Sequence, residues 1–393
     1  MKKNYLILGG TGAVGYSFTR YLIENGRDAT ILVRDYKKAR SLFKLNANLT
    51  IVEGSVLDTA LISELVKKVD TVLLAVNSNY STWQQFLPDS VQSVLTACEG
   101  TSKTIIFPGN NYGFGSSESP ISELTPDNPC SELGRVRVYL EQMLYNATID
   151  SKIKVLNIRF PEIWGPNVTN ETFAPVFKNA ISGKSLPWLI NADTPQQMIY
   201  SLDVGRIIFK LCEACQVSRY EVVHVAGNEV PSMRFWLNRV SELARSKKGI
   251  SIFPLKRLRV LSWFKSDLRM VVSLAYKYNK SIRFDDTKFR NRVPKFKYTK
   301  LDVAILETLD WFSAEKEVAK SLTKTKLIEG AKNFLVENIA IGLFPFAIFG
   351  LSPEVEFIQE NAVMFGVVAG IYWIKPLKAM LLPVLKFRLP FRN

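Results

Sequence analysis

The sequence predicts an α/β protein: a doubly wound parallel sheet, a smaller C-terminal lobe and an apolar helical appendage at the C-terminal end. Three observations carry this expectation. Apolar strand-like runs alternate with helix-like segments from residue 4 to residue 158, a glycine-rich turn joins the first run to the first helix, and from residue 331 the chain changes to long apolar stretches with basic ends. Strict alternation of strand and helix covers both faces of a sheet, which is the arrangement of parallel strands.

Taken in order, Asn4 to Leu8 is a short apolar run that reads as the first strand. Gly9 to Gly15 forms the turn, and Tyr16 to Asn25 has a helical pattern closed by Gly26, the residue type that most easily ends a helix in the left-handed conformation. Ala29 to Val33 is a second strand, Tyr36 to Phe43 a helix, Leu49 to Glu53 a third strand, Thr59 to Val69 a helix and Thr71 to Val76 a fourth strand. Phe86 to Cys98 reads as a helix, Thr104 to Phe107 as a strand, Ser131 to Asn146 as a helix and Lys154 to Ile158 as a strand. This series makes residues 1–165 a Rossmann-type dinucleotide-binding domain. Past Pro166 the regularity fades, and residues 166–330 are expected to form a mixed α/β substrate lobe with some return to the sheet.

A chain of 393 residues can bury a large core. Its four cysteines, Cys98, Cys130, Cys212 and Cys215, are too few and too scattered for a disulfide framework, and no apolar export segment precedes the first strand. A reducing cytoplasm is the expected compartment, with attachment to the inner face of a membrane left open. Cys212 and Cys215 fall in the apolar helical run Val204 to Cys215 with no second pair nearby, so they are expected as buried helix cysteines. The single histidine, His224, sits in the strand-like Tyr220 to Ala226 and is expected to be packed. One histidine rules out histidine-based metal sites and Ser-His triads, and no metal is expected.

The net charge of +15 is concentrated: Arg245 to Lys300 holds 17 Lys/Arg against three Asp, which leaves the rest of the chain nearly neutral. Such a block suits an anionic membrane or substrate, or is simply a solvated face. The interleaved aromatics Phe253, Trp263, Phe264, Tyr276 and Tyr278 look like the apolar faces of helices, and no nucleic-acid-binding signature accompanies them. No nucleic-acid partner is expected. In residues 331–393, Phe334 to Leu351 and Ala362 to Ile374 are apolar runs joined by a connector with Glu354, Glu356 and Glu360, followed by Lys375, Lys378, Lys386, Arg388 and Arg392. That asymmetry fits a membrane hairpin with cytoplasmic basic ends, although each run is short for a span and a buried helical appendage remains the alternative.

The turn reads Gly9-Gly10-Thr11-Gly12-Ala13-Val14-Gly15, a G-x-x-G-x-x-G between strand and helix. In that frame Gly9 permits the tight turn, Gly12 the close approach of backbone N–H groups to a pyrophosphate, and Gly15 close packing of helix on strand. Gly9, Thr11, Gly12, Ala13, Val14 and Gly15 are therefore expected to bind a dinucleotide. Arg34 ends the second strand, where an arginine suits the 2′-phosphate of NADP; this favours NADP, while the adjacent Asp35 keeps NAD open. Asp58 is placed to meet the adenine amino group, with Val56 and Leu57 beside the ring, or to cap the helix starting near Thr59. Ala75, at the end of the fourth strand, is counted with these contacts.

These residues resemble the extended short-chain dehydrogenase/reductase superfamily, which includes the sugar-nucleotide epimerases and dehydratases. The resemblance covers about Asn4 to Phe312 and rests on the glycine turn, Gly54 to Asp58, the run Arg159-Phe160-Pro161-Glu162-Ile163-Trp164-Gly165-Pro166 and the run Met198 to Val204. The third of these looks like the superfamily's Arg-x-x-x-Val-Tyr-Gly-Pro element. The superfamily's reaction implies a proton-shuttling tyrosine in Tyr-x-x-x-Lys on a helix, and an orienting serine after the preceding strand. Aligned on Glu141, the helix here reads Leu133-Gly134-Arg135-Val136-Arg137, with leucine at the tyrosine place and Arg137 at the lysine place. Phe107 to Gly115 places Asn110 where the serine is implied.

Leucine transfers no proton, so the usual acid–base apparatus is missing. Arg137 remains suited to the nicotinamide ribose but, being permanently protonated, is a poor shuttle. The segment Phe107 to Arg137 resembles a bacterial group described only as epimerase/dehydratase-like. Tyr112 is the candidate replacement proton donor and Asn110 a candidate hydrogen-bond donor to a substrate carbonyl. Tyr139, two positions after Arg137, points away from Arg137's face and is expected to pack. Three functions follow as expectations: an NADP-dependent oxidoreductase or epimerase-like enzyme on a small carbonyl substrate, a redox-reading or scaffold protein that binds NADP without turnover, and a lipid-modifying enzyme docked on anionic bilayer.

Overall fold

The computed structural model describes residues 3–43, 45–214, 216–264 and 266–317. Seven short apolar strands form the central layer: β1 (Tyr5–Leu8), β2 (Ala29–Val33), β3 (Leu49–Glu53), β4 (Thr71–Leu74), β5 (Thr104–Gly109), β6 (Lys154–Arg159) and β10 (Tyr220–His224). Their order is β10-β6-β5-β4-β1-β2-β3 and every pairing is parallel. Chain direction along the sheet reverses between β1 and β4, since β2 and β3 lie on one side of β1 and the later strands on the other. Such a reversal leaves a crevice at the carboxyl ends of the two strands, where dinucleotides lie in this class of fold. This is the doubly wound Rossmann-type α/β architecture that the alternation predicted, and β10 is the return to the sheet.

Helices cover both faces. On one side α1 (Ala13–Glu24) and α7 (Ser201–Ala214) bury Phe18, Leu22, Ile207, Ile208 and Leu211 against Ile7, Ile31 and Ile158. They approach closely because Gly205 leaves room for Ser17: its N–H donates to Ser17 Oγ at 2.9 Å, and a Cβ there would run into the Ser17 backbone. On the other side α3 (Thr59–Val66), α4 (Trp83–Cys98) and α5 (Glu132–Asp150) bury Ile62, Val91, Val94, Leu140 and Leu144 against Leu6, Val72 and Ile105. α2 (Tyr36–Leu42) adds Ala39 to the first of these cores.

A further core, beside the parallel sheet, is built around aromatics. β7 (Glu162–Trp164), β9 (Gln196–Tyr200) and β11 (Asn228–Val230) make a three-stranded sheet, and β8 (Leu186–Leu189) pairs with β12 (Ile250–Phe253). Together with α6 (Ala174–Ala180), α8 (Met233–Leu243) and the helix at residues 301–317 they enclose Trp164, Phe173, Phe177, Trp236 and Phe312. Trp164 and Trp236 meet edge to face with centroids 5.2 Å apart, a favoured geometry for aromatic pairs. The remaining helices are short: α9 (Leu255–Ser262), α10 (Ser266–Ser273), α11 (Tyr276–Asn279) and α12 (Thr287–Arg292).

Most expected boundaries hold to within a turn, and the differences have physical reasons. α1 starts at Ala13 because Gly12 already serves as its N-cap, so the end of the glycine turn is also the first turn of the helix. Trp263 and Phe264, expected on apolar helix faces, are instead open to solvent. The basic block is partly neutralised by ion pairs of Lys277 with Glu162, Arg283 with Glu229, Lys288 and Arg292 with Glu221, and Arg290 with Asp286. Cys212 is buried as expected and Cys98 is buried too, while Cys215 and the apolar tail at 331–393 lie outside the described residues. Among the described residues no helix is long and apolar enough to cross a membrane.

Candidate active site

The glycine turn sits in the crevice between β1 and β4. Gly9 has φ +86°, a conformation that favours glycine, and a Cβ there would lie 2.6 Å from the Ala75 carbonyl oxygen. At Gly15 a Cβ would fall on the Gly9 carbonyl, so α1 rests directly on the turn. Ala75 is thereby placed at the floor of the crevice, its N–H bonded to the Leu8 carbonyl at 3.0 Å.

Gly12 differs from both. Its φ of −81° suits any residue, it is exposed, and a Cβ there would meet nothing closer than the Gly9 oxygen at 3.4 Å. Folding does not require glycine at this position, and its lack of a side chain leaves the backbone open to a ligand. Its N–H is not aimed outward as expected, because it donates to the Gly9 carbonyl at 3.0 Å. The groups left for an anion are the N–H donors of Ala13, Val14 and Gly15, which have no intrahelical acceptor and no side-chain cap. No acidic residue occupies this first turn. The cradle fits a dinucleotide pyrophosphate. Thr11 contributes shape: its carbonyl accepts from Asn167 Nδ2 at 3.1 Å, which ties the turn to the chain following Gly165-Pro166.

Arg34 is exposed at the end of β2 and makes no hydrogen bond or ion pair among the described residues, while Asp35 is spent on capping α2 through Lys38 N–H at 2.8 Å. Asp58 caps α3, accepting from Leu61 N–H at 3.0 Å. One of its carboxylate oxygens is thus engaged by the helix. Val56 is buried in the core and Leu57 is exposed, so only Leu57 is open to a ring in that loop.

The catalytic frame departs from the expected arrangement most clearly at α5. Leu133 is 1% exposed and packs with Val136, Leu140 and Tyr112 in the core, which leaves no acid or base at that position. Arg137 is buried, its guanidinium 4.7 Å above the Phe107 ring and 5.9 Å from that of Trp83, and it donates through Nη2 to the Pro108 carbonyl. Its Nε–H is buried without an acceptor, which suits a ligand oxygen at that place. Asn110 is half-buried and its Oδ1 accepts from Tyr112 N–H at 3.0 Å, leaving the amide Nδ2 as a free donor. Tyr139 is 56% exposed; it faces solvent and does not pack.

Tyr112 lies at the centre of a cluster that sequence reasoning did not find. Its hydroxyl is 3.3 Å from that of Tyr80, and the Lys277 ammonium stands 4.0 Å above its ring while pairing with Glu162. Burial and the nearby Glu162 carboxylate push the Tyr112 phenol well above its ordinary range, so it holds its proton. Glu162 and Lys277 also line a cavity with Thr172, Phe173, Trp188 and Tyr278. Its free volume of about 40 Å³ admits little more than a water, so a substrate entering there displaces side chains of this wall. Glu162 carried a weak signal, lying inside the run that resembles the superfamily element. Lys277 carried none, because in sequence it is one cation of a basic block.

Two other residues from that reading prove structural. Arg159 donates through Nε to Glu141 Oε2 at 3.0 Å, pairs with it again through Nη2 and meets His224 Nε2 at 3.2 Å, which pins β6 to α5 and β10. His224 is fully buried as expected, its Nδ1 3.1 Å from the Ile121 carbonyl. Burial and the Arg159 charge push its imidazole down to about 3, so it is neutral.

Comparison with known proteins places the chain by family and fold. The profile of the NAD dependent epimerase/dehydratase family matches residues 5–226. A UDP-N-acetyl-alpha-D-glucosaminuronate decarboxylase of Bacillus cytotoxicus is 23% identical over 277 residues, covering 66% of this chain and 85% of that protein. A probable pinoresinol-lariciresinol reductase of Arabidopsis thaliana is 32% identical over 127 residues, only 32% of this chain and 39% of its own. In fold, the chain is similar to the UDP-glucuronic acid 4-epimerase of Bacillus cereus in complex with NAD, with a TM-score of 0.66 at 16% identity, over 79% of this chain and 99% of that one. It is also similar to a UDP-N-acetylglucosamine 4-epimerase of Methanobrevibacter ruminantium, with a TM-score of 0.65 at 19% identity, over 80% and 100% of the two chains. The match spans the glycine turn, α5 and β6 alike, and the chain belongs to the NAD dependent epimerase/dehydratase family.

Proposed function

We propose that the chain is an NADP-dependent oxidoreductase acting on a small carbonyl compound, working without the superfamily's tyrosine. The observation that carries this reading is Gly12, a glycine that the fold does not need, standing beside three uncapped N–H donors. Those donors would hold the pyrophosphate, Leu57 and Asp58 would border the adenine, Arg137 Nε–H would donate to the nicotinamide ribose, and exposed Arg34 would pair with a 2′-phosphate. Arg34 is exposed and unpaired among the described residues while one oxygen of Asp35 is held in a helix cap, which favours NADP over NAD.

A reduced nicotinamide cofactor held at this turn would supply a hydride to the carbonyl carbon. The oxygen then needs a proton and a hydrogen-bond donor. Asn110 Nδ2 is the donor, and the Tyr112 hydroxyl gives the proton, which Tyr80 hydroxyl can replace by relay over 3.3 Å. Burial and the Glu162 carboxylate keep the Tyr112 phenol protonated, the form that can give a proton to a developing alkoxide. Lys277, above the ring, offsets the charge that Tyr112 acquires as it gives up its proton.

The test is single-turnover oxidation of bound NADPH with a panel of carbonyl compounds, comparing the native protein with Tyr112→Phe. Loss of turnover with unchanged NADPH affinity supports the reading; equal rates remove Tyr112 from the chemistry. A second reading, a protein that binds NADP and does not turn over, is favoured by Leu133 in the core. It predicts tight NADPH binding and no oxidation with any substrate in the panel.

A further inference from the structure

The α9 helix is anchored by one narrow stripe. Leu258 and Ser262 are buried, while Lys256, Arg257, Arg259, Val260 and Leu261 face solvent. Past the helix end the chain tightens, with Trp263 N–H donating to the Val260 carbonyl at 3.3 Å and Phe264 N–H to the Leu261 carbonyl at 3.1 Å. This turn leaves Trp263 78% and Phe264 81% exposed. Single exposed apolar residues are ordinary on a protein surface; four large ones within five positions, two of them aromatic, mark an interaction surface. The spacing also groups them. Arg257, Val260, Leu261 and Phe264 recur at three, four and seven, the spacing of one helix face.

The chemistry around this ridge identifies its occupant. Lys256, Arg257 and Arg259 make no ion pair among the described residues, and between Arg245 and Phe284 the sequence contains a single acid, Asp267. Cations over an exposed Trp-Phe pair complement a surface with negative headgroups above acyl chains: the indole sits at headgroup level, the phenyl below it, and the lysine and arginine stems reach back to the phosphates. Exposed valine and leucine have nothing to meet on a nucleic-acid backbone. We infer that α9 and the Trp263-Phe264 turn form an interfacial anchor for an anionic phospholipid bilayer. This goes beyond the cofactor reading and does not depend on it. It also bears on the active site, because α10 follows the anchor directly, its Met270 and the Leu274 just after it pack into the core that holds Tyr80 and Trp83, and the chain leads straight to Lys277 and Tyr278. Docking would place the wall of the site one helix away from the bilayer.

The experiment uses the full chain, sedimented with vesicles of phosphatidylcholine alone and of phosphatidylcholine mixed with phosphatidylglycerol. Binding is expected only with the anionic lipid. Each basic residue near such a surface contributes about 1 kcal/mol, so Lys256→Gln/Arg257→Gln/Arg259→Gln should lower partitioning roughly 100-fold. Trp263→Ser/Phe264→Ser should lower it at least about 10-fold, and both variants keep native NADPH affinity because the residues are exposed. A local readout separates this surface from residues 318–393. The emission difference between the native protein and Trp263→Phe should shift to the blue on vesicles and be quenched by brominated phosphatidylglycerol. Vesicle binding with Trp263 unquenched would assign binding to another segment and overturn the inference. So would a Trp263 already shielded from iodide without vesicles, which would mean that the chain itself or a second copy covers the ridge. Equal binding to both lipid compositions, or tighter binding to duplex DNA, would overturn it as well.

Discussion

Replacing Gly12 with aspartate is expected to stabilise the empty protein and to abolish dinucleotide binding in the same substitution. Gly12 is the N-cap of α1, with an ordinary extended backbone and no side chain to satisfy the helix's first N–H groups. Aspartate is among the best N-cap residues, and relative to glycine it also restricts the unfolded chain, so the gain is a few tenths to about 1 kcal/mol. For a chain of 393 residues that is a rise in Tm of roughly 1 °C at most. The same carboxylate stands where the pyrophosphate approaches. Two unit charges about 5 Å apart at an effective dielectric near 20 repel by about 3 kcal/mol, a loss of roughly 200-fold in affinity before the steric displacement is counted. Differential scanning calorimetry of the free protein and titration with NADPH and NADH read the two effects. Gly15→Ala is the control with the opposite profile, because its Cβ would fall on the Gly9 carbonyl and both stability and binding should drop. Gly12→Asp binding a dinucleotide as the native protein does would refute the placement of the phosphates. A fall in Tm would refute the account of why the residue is glycine.

Other substitutions separate chemistry from scaffold. Leu133→Tyr, which restores the superfamily's residue type, should not create activity. It should cost about 1–3 kcal/mol because the leucine is fully packed, read as a lower urea midpoint. Arg159→Leu leaves the buried Glu141 carboxylate without its partner and should destabilise by about 3–5 kcal/mol, with Glu141→Gln/Arg159→Leu recovering part of the loss. The pH dependence follows from His224, whose imidazole is pushed down to about 3 in the folded chain against about 6.5 unfolded. Between those values the unfolded chain binds a proton that the folded chain refuses, so the stability from a neutral His224 is complete above about pH 6.5 and is lost as pH falls toward 3. The slope approaches about 1.4 kcal/mol per pH unit, or roughly 2 kcal/mol between pH 7 and 5. Urea midpoints at the two pH values measure it, and His224→Gln should flatten that part of the profile. A native profile that is already flat over this range would contradict the assignment of a neutral, buried imidazole.

How much could be read from the chain depends on the range of the forces involved. Ala29–Val33 was legible to the residue because a buried strand is a largely apolar run between turn residues, and the half-exposed edge strand Leu49–Glu53 because Leu49, Thr50 and Ile51 alternate apolar and polar, both purely local signals. The glycine turn was legible for the same reason, as was the absence of a titratable side chain at Leu133. The direction of the Gly12 N–H was not, since it depends on how the turn closes onto the Gly9 carbonyl. The Lys277–Glu162 pair joins residues 115 apart, and nothing near either one distinguishes it from the other charges on the chain. Trp263 and Phe264 have helical spacing, and spacing alone does not say whether a second surface arrives to cover them. Local patterns therefore gave the sheet and the glycine turn. The Lys277–Glu162 cluster and the exposed ridge needed the tertiary structure.

The most direct test of the account is a calorimetric titration of the purified full chain with NADPH and NADH in parallel, repeated with Arg34→Ala. The account predicts that both bind, that NADPH binds more tightly, and that Arg34→Ala removes the difference by weakening NADPH alone. A preference for NADH in the native protein, or a preference for NADPH that survives Arg34→Ala, would contradict the 2′-phosphate assignment. Failure of either nucleotide to bind would contradict the cofactor site itself.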